Sequence, residues 1–335
     1  MKPGVYITVD VECSMGGAFA NTTLRPVPPS RGMMGEYGSR RLGVPLITEI
    51  LNASGLKATF FVETFVEEQG YPGQTEPVCE HLLDHGQDVQ LHIHPAYEQY
   101  DRFHQGTAPC PTTDDLTELP RNQQLDLLRE GTERINRWTG RAPVAFRAGN
   151  MAASEETLEL LAAAGIRIDS SYTFPFAGGQ CRFSPADPYN GSRWYGDVLE
   201  LALSGFRLPP LPGEHRAKPL DIVGVSFEEC REAIRRICGA GADAVLIFHS
   251  FSLFKVRNVQ YDGGRMNWIV ARRLRRLCEW LAAHAKEFPT YTFSQLGRAI
   301  ADKSYEARAV PPPRLSGARG ILRKAVQAYN CLYWT

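Results

Sequence analysis

Val5-Tyr6-Ile7-Thr8-Val9-Asp10-Val11-Glu12 is a β-branched, apolar run that stops on two acids. β-Branched and aromatic side chains favour extended backbone, and residues two apart on a strand point to the same side. Asp10 and Glu12 therefore share a face while Val11 turns away. Two carboxylates held close suit a division of labour, one binding a metal and the other acting as a base tuned by its neighbours. Standing alone, Asp-x-Glu is common, and a solvated strand end explains it more often than chemistry does.

Outward from this run, short apolar stretches alternate with longer ones of helical periodicity. Strands are predicted at 5–9, 58–62, 89–94, 144–147, 166–169, 198–203, 245–249 and 290–293. Helices are predicted at 44–51, 121–138, 154–164, 226–238 and 266–286, with a last one reaching Ala301 behind a Ser294 cap. This alternation is the pattern of an α/β fold with a parallel sheet. A length of 335 residues fits one large α/β barrel with insertions. The insertions are 13–43 and 95–120, both rich in Gly, Pro, Thr and Arg and both following predicted strands, where loops shape a cleft.

Polar residues collect at the ends of these strands. Leu91-His92-Ile93-His94-Pro95 puts two imidazoles on one side by the same period of two, and neutral imidazole is a common ligand for divalent metals. Ala145-Phe146-Arg147-Ala148-Gly149-Asn150 delivers an arginine that can hold a carboxylate ionised or serve a structural ion pair. Asp169-Ser170-Ser171-Tyr172 and Val245-Leu246-Ile247-Phe248-His249 complete the set. Singly each motif is weak. Five of them at strand termini are hard to assign to five unrelated causes.

The order and spacing of Thr8-Val9-Asp10-Val11-Glu12, Ala58-Thr59-Phe60-Phe61-Val62, His92-Ile93-His94-Pro95, Phe146-Arg147-Ala148-Gly149, Asp169-Ser170-Ser171 and Ile247-Phe248-His249 resembles the polysaccharide deacetylases, carbohydrate esterase family four. The resemblance implies a distorted (β/α) barrel of about seven parallel strands, one divalent metal and removal of N-acetyl groups from amino sugars. It implies Asp10 as catalytic base, Glu12 and His92 as metal ligands, and Arg147 as the residue orienting the base. It further implies His249 as general acid and Asp169 as the acid tuning it. The chain departs from the family pattern in three places. The family's second histidine, four residues after the first, falls on Ala96, which leaves His94 as the second ligand. Asp10-Val11-Glu12 stands for an adjacent acidic pair, and Gly149-Asn150 for a proline near the motif arginine.

Three open-sided ligands suit a catalytic metal, expected to be Zn²⁺, with Co²⁺, Ni²⁺ or Mn²⁺ as alternatives. Loop aromatics, Tyr97, Tyr100, Tyr172, Phe174, Trp194 and Tyr195, could stack on sugar rings or pack the loops onto the barrel; Tyr172 and Trp194, with Asn150, are the expected substrate-binding residues. Two other functions remain open: an amidohydrolase acting on a small non-sugar amide, and a catalytically silent carbohydrate-binding protein.

Composition adds the setting. Hydrophobic residues make up 43% and charged residues 22%, which excludes a disordered chain. No apolar stretch approaches the roughly 18 residues of a membrane span. The start lacks the pattern of a signal peptide and the eight cysteines form no C-x-x-C pair, so a reducing, cytoplasmic setting is expected. Lys+Arg and Asp+Glu both number 37, and no net basic field points to nucleic acid. The balance hides an asymmetry. Lys303, Arg308, Arg314, Arg319, Arg323 and Lys324 face only Glu306 beyond position 302, so the acidic surplus belongs to residues 1–302. We therefore divide the chain into a catalytic barrel, 1–302, and a basic tail, 303–335. In the tail Ile321, Leu322, Ala325, Val326, Tyr329 and Leu332 recur at helical spacing before Tyr333-Trp334. Residues 319–335 could lie on an anionic membrane surface, or dock as a helix on their own barrel or on a second subunit.

Overall fold

The computed structural model describes residues 1–209 and 217–317, together with Arg323 and residues 326–330. Its first strand, β1 (Val5–Val11), is buried at every position. The later strands are β2 (Thr59–Glu63), β3 (Asp88–Ile93), β4 (Ala145–Ala148), β5 (Ile168–Asp169), β6 (Asn190–Tyr195), β7 (Val198–Leu201), β8 (Ala244–His249) and β9 (Ala309–Val310). They form one sheet in the order β8-β1-β2-β3-β4-β5-β7-β6-β9. The run from β8 to β7 is parallel throughout, seven strands as expected, and β6 and β9 extend it antiparallel.

The sheet curls, and residues flanking a short antiparallel strand pair, Gly205–Arg207 with Ala217–Pro219, bridge from the β7 side back to β8. Ser204 donates its N–H to the Val245 carbonyl at 3.1 Å, its Oγ accepts from the Val245 N–H at 2.9 Å, and Ile247 N–H donates to the Leu220 carbonyl at 3.1 Å. This is the distorted (β/α) barrel that the family resemblance implies.

Among the described residues, besides a single turn at Pro29–Gly32, eight longer helices pack around the sheet: α1 (Val44–Ala53), α2 (Glu76–Asp84), α3 (Pro95–His104), α4 (Arg121–Thr139), α5 (Glu155–Ala163), α6 (Phe227–Gly239), α7 (Trp268–Ala283) and α8 (Phe293–Ala301). The starts follow local chemistry. Ser154 and Ser226 form capping boxes that satisfy the first free N–H groups of α5 and α6. For α8 the cap is Thr292 rather than Ser294, and residues 290–293, expected as a strand, contribute only a bridge at Thr290. Two helices are absent from the predicted set, α2 (Glu76–Asp84) and α3. Residues 95–104, read as loop, form α3, with Ala96, Tyr97 and Tyr100 buried on one side and charged residues masking the pattern.

The chain does not leave the sheet at Asp302, because β9 pairs with β6. Farther on, Arg323 is buried and its Nε lies 3.1 Å from Glu229, while Gln327 Nε2 donates to the Gly224 carbonyl at 3.1 Å. Tyr329 packs edge-on against Trp268. These described tail residues lie on the N-terminal ends of α6 and α7. Arg319, Ile321, Leu322, Lys324, Ala325, Leu332, Tyr333 and Trp334 lie outside the described residues. No described helix is long and apolar enough to cross a membrane.

Candidate active site

Parallel pairing brings the strand ends together. Asp10 lies beside His249 on β8 and Phe61 on β2; Glu63 lies beside His92, and His92 beside Arg147. Glu12 follows β1 and carries its carboxylate into the middle of this group. Its Oε2 is 3.0 Å from His92 Nε2 and also contacts His94 Nε2, while its Oε1 is 3.6 Å from His249 Nε2.

Each imidazole has its second nitrogen engaged. His92 Nδ1–H donates to the Arg147 carbonyl at 2.8 Å, and His94 Nδ1–H donates to Asp114 Oδ2 at 2.5 Å. With Nδ1–H committed in both rings, Nε2 is the atom left to bind a cation, in place of the proton it otherwise shares with Glu12. Ligand atoms of Glu12, His92 and His94 all lie within 4.8 Å of one another, and all three residues are buried. One carboxylate and two imidazoles, each imidazole backed by an acceptor, is a donor set that fits a divalent metal with open positions. Electrostatics agree. Burial alone would raise the Glu12 carboxyl, but the charge of His94 and hydrogen bonds from His92 and His94 outweigh it and hold it well below its usual range.

Asp10 is fixed from the other side. Arg147 Nη1 donates to Asp10 Oδ1 at 2.5 Å, and both side chains are buried. The guanidinium is itself held, donating from Nε to the Ser170 carbonyl at 3.0 Å and from Nη2 to Ser170 Oγ at 3.1 Å, with its plane 4.1 Å over the Phe61 ring. Every Arg147 nitrogen thus has a fixed partner, which keeps the second Asp10 oxygen as the variable one.

Three sequence-based expectations change. Asp169 does not meet His249: it accepts from Ser171 N–H and Oγ–H at 3.2 and 2.8 Å and lies beside Glu200 of β7. Buried together, the two acids repel, and burial with that repulsion raises the Glu200 carboxyl well above its usual value. Asp221 is the other acid on the His249 side: it bridges β8 beside Ile247 and accepts from the Val223 N–H at 2.9 Å. Burial raises its carboxyl, and the Val223 N–H and the nearby His249 pull it back. Tyr172 is fully buried and stacks on Tyr189 at 4.5 Å, so it packs a loop instead of facing a cleft. Trp194 is exposed, but on β6, outside the parallel strands whose ends carry the cluster. Asn150 stays at the site, exposed beside Asp114.

Sequence reading missed Asp114, Asp221 and Glu200. Asp114 and Asp221 sit in segments without periodicity, and Glu200 lay inside an apolar strand prediction with nothing to mark its partner.

Comparison with known proteins follows this geometry. A family model described as polysaccharide deacetylase matches residues 36–168, which include His92, His94 and Arg147 but not Asp10, Glu12, Asp221 or His249. No curated protein matches the chain. Among solved structures, one from Mycobacterium smegmatis, named as a candidate polysaccharide deacetylase, is similar at 18% identity and a TM-score of 0.57, covering 93% of this chain and 94% of its own. A family 4 carbohydrate esterase from Streptomyces lividans, solved with acetate, aligns at 15% identity and a TM-score of 0.46 over 92% of this chain and 98% of its own. By its matched segment and by its fold, the chain resembles the polysaccharide deacetylase family.

Proposed function

We propose that the protein is a metal-dependent hydrolase that removes an N-acetyl group from an amino sugar. The observation that carries this reading is the convergence on one carboxylate, Glu12, of two backed imidazoles on one side and a third, half-open imidazole on the other, with the Arg147-held Asp10 alongside. A binding module has no need of both a buried carboxylate held in register and a half-exposed imidazole facing it.

Glu12, His92 and His94 would hold the ion, Zn²⁺ first among the candidates. Bound there, a divalent ion supplies Lewis acidity toward the acetamide oxygen and lowers the pKa of water. Asp10 accepts the proton of the attacking water on the oxygen that Arg147 leaves free. Arg147 keeps that carboxylate pointed. His249 then hands a proton to the departing nitrogen, with Asp221 on the adjoining bridge to β8. Asn150, exposed at the rim, is the one expected substrate contact that remains beside the cluster.

In the expected cytoplasmic setting the substrate is a precursor, such as a nucleotide sugar or a lipid-linked saccharide, rather than finished wall polymer. The test is mass spectrometry for acetyl loss across N-acetylated nucleotide sugars, lipid-linked sugars and free oligosaccharides, with and without chelator. Chelator-sensitive acetyl loss on a sugar supports the reading. Chelator-insensitive hydrolysis of small amides alone would replace it with the amidohydrolase reading, and a panel that is bound but never cleaved with the silent binding protein.

A further inference from the structure

Two of the departures from the family pattern, His94 standing in for a ligand at Ala96 and Gly149-Asn150, meet at one point in space. His94 is the residue preceding α3, with Pro95 opening the helix, so its ring must reach the cluster from a helix start and not from a strand. Its own segment offers the ring only edge-on contacts with His92 and Tyr97 and no hydrogen bond. What fixes it comes from two other places in the chain.

The first is Asp114, in the loop between α3 and α4. Its Oδ2 accepts from His94 Nδ1–H at 2.5 Å and its Oδ1 accepts from the Ala96 N–H at 3.0 Å, so one mostly buried carboxylate grips both the ring and the helix start that carries it. The second is the turn after β4. Gly149 lies flat against the imidazole, and a Cβ there would stand 2.5 Å from His94 Nδ1. Asn150 adopts a left-handed backbone, φ 55°, a region asparagine visits more readily than most residues. From it the side-chain Nδ2 donates to the Asp114 carbonyl and Oδ2, both at 3.2 Å. The Asp114 oxygen nearest His94 is thereby held from two sides.

We propose that Asp114, steadied by Asn150 and given room by Gly149, is the positioning residue that makes His94 a metal ligand in this protein. Asp114 selects the tautomer with the proton on Nδ1, which leaves Nε2 as the donor, and it strengthens that donor through a charge-assisted hydrogen bond. His92 needs no such device, because the Arg147 carbonyl of the neighbouring strand does the same for it. The inference rests on the proposed metal site and extends it to residues that no family match singles out for this role.

The test is competition titration of Zn²⁺ or Co²⁺ against a chromophoric chelator, with thermal unfolding of the metal-free proteins in parallel. Losing a carboxylate behind a ligating histidine typically weakens metal binding about 10- to 100-fold. Asp114→Ala should show such a loss and an altered Co²⁺ absorption spectrum. Asp114→Asn, which keeps an acceptor without the charge, should recover part of it. Gly149→Ala should displace the ring and match or exceed the Asp114→Ala loss, and Asn150→Ala should cost several-fold in affinity with only a small fall in the metal-free melting temperature, the fall expected of alanine at φ 55°. A wild type that binds metal while all four variants bind it equally, with the same spectrum, overturns the positioning role alone. A wild type that binds no metal overturns it together with the metal site. Should Asp114→Ala fold poorly from loss of the α3 cap, Gly149→Ala and Asn150→Ala still decide the matter, since neither touches that cap.

Discussion

Asp10 and His249 are direct partners on neighbouring parallel strands, yet their surroundings are opposite. The Asp10 side chain is 1% exposed and tied to an arginine that is tied again to Ser170, whereas the His249 side chain is 33% exposed, stacked on Phe251, with no side chain of another segment within hydrogen-bond distance of its ring among the described contacts. Behind them, Arg147 is locked on all three nitrogens, but the turn carrying Asp221 is held mainly through its backbone, by Arg273 from α7 and Gln327 from the tail. The difference follows from the chemistry proposed for each. A group that takes a proton from a small water can be buried and rigid, where fixed charges act strongly. A group that gives a proton to the nitrogen of a departing sugar must reach solvent and tolerate varied substrates.

That contrast can be broken at several points. Asp10→Asn should lower acetate release about a thousandfold, within the range for a lost general base, with metal content unchanged. The fold should persist, because Arg147 keeps both Ser170 bonds. His249→Ala should cost about a hundredfold on an acetamide and far less on an acetyl ester with a good leaving group, which needs little help in departing. An equal loss on both substrates would remove the general-acid role. Asp221→Asn should cost about tenfold and act through His249, so it should add nothing to His249→Ala in a double-mutant cycle.

Smaller effects lie behind the rigid side. Glu200 carries a raised carboxyl, so the folded state keeps a proton that the unfolded chain releases above its ordinary value of 4.5. Stability contributed this way is present below that pH and falls as pH rises through the raised folded value. Glu200→Gln should therefore flatten the decline of melting temperature above that pH, with activity per bound metal near wild type. Gln327→Ala, which frees the Asp221 turn from the tail, should change kcat by less than about threefold. A large effect there would tie the tail to catalysis.

How much of this could be read from the chain depends on where each partner sits. Asp10, Glu12, His92, His94, Arg147 and His249 end apolar runs, and a parallel sheet gathers such ends, so the sequence alone brings them together. The strand pattern also yielded the seven parallel strands. It did not yield β6, which pairs with β7 across the two-residue turn Gly196-Asp197, or β9, whose partner β6 lies far back in the chain. Asp114 and Asp221 lie in loops, where nothing periodic records which strand end a side chain will face. The resemblance supplied an acid for His249 but placed it on Asp169, whose neighbours turned out to be Ser171 and Glu200. Tyr172 shows the converse: an aromatic in a cleft-forming loop is as able to pack that loop as to face a ligand.

The most direct measurement takes wild type, Asp10→Asn and Glu12→Gln, each loaded with Zn²⁺, and records bound metal and acetate released from an accepted N-acetylated sugar. The account predicts full metal and full release for wild type, full metal and nearly no release for Asp10→Asn, and little of either for Glu12→Gln. Acetate release persisting in Asp10→Asn, or unchanged metal in Glu12→Gln, would contradict it.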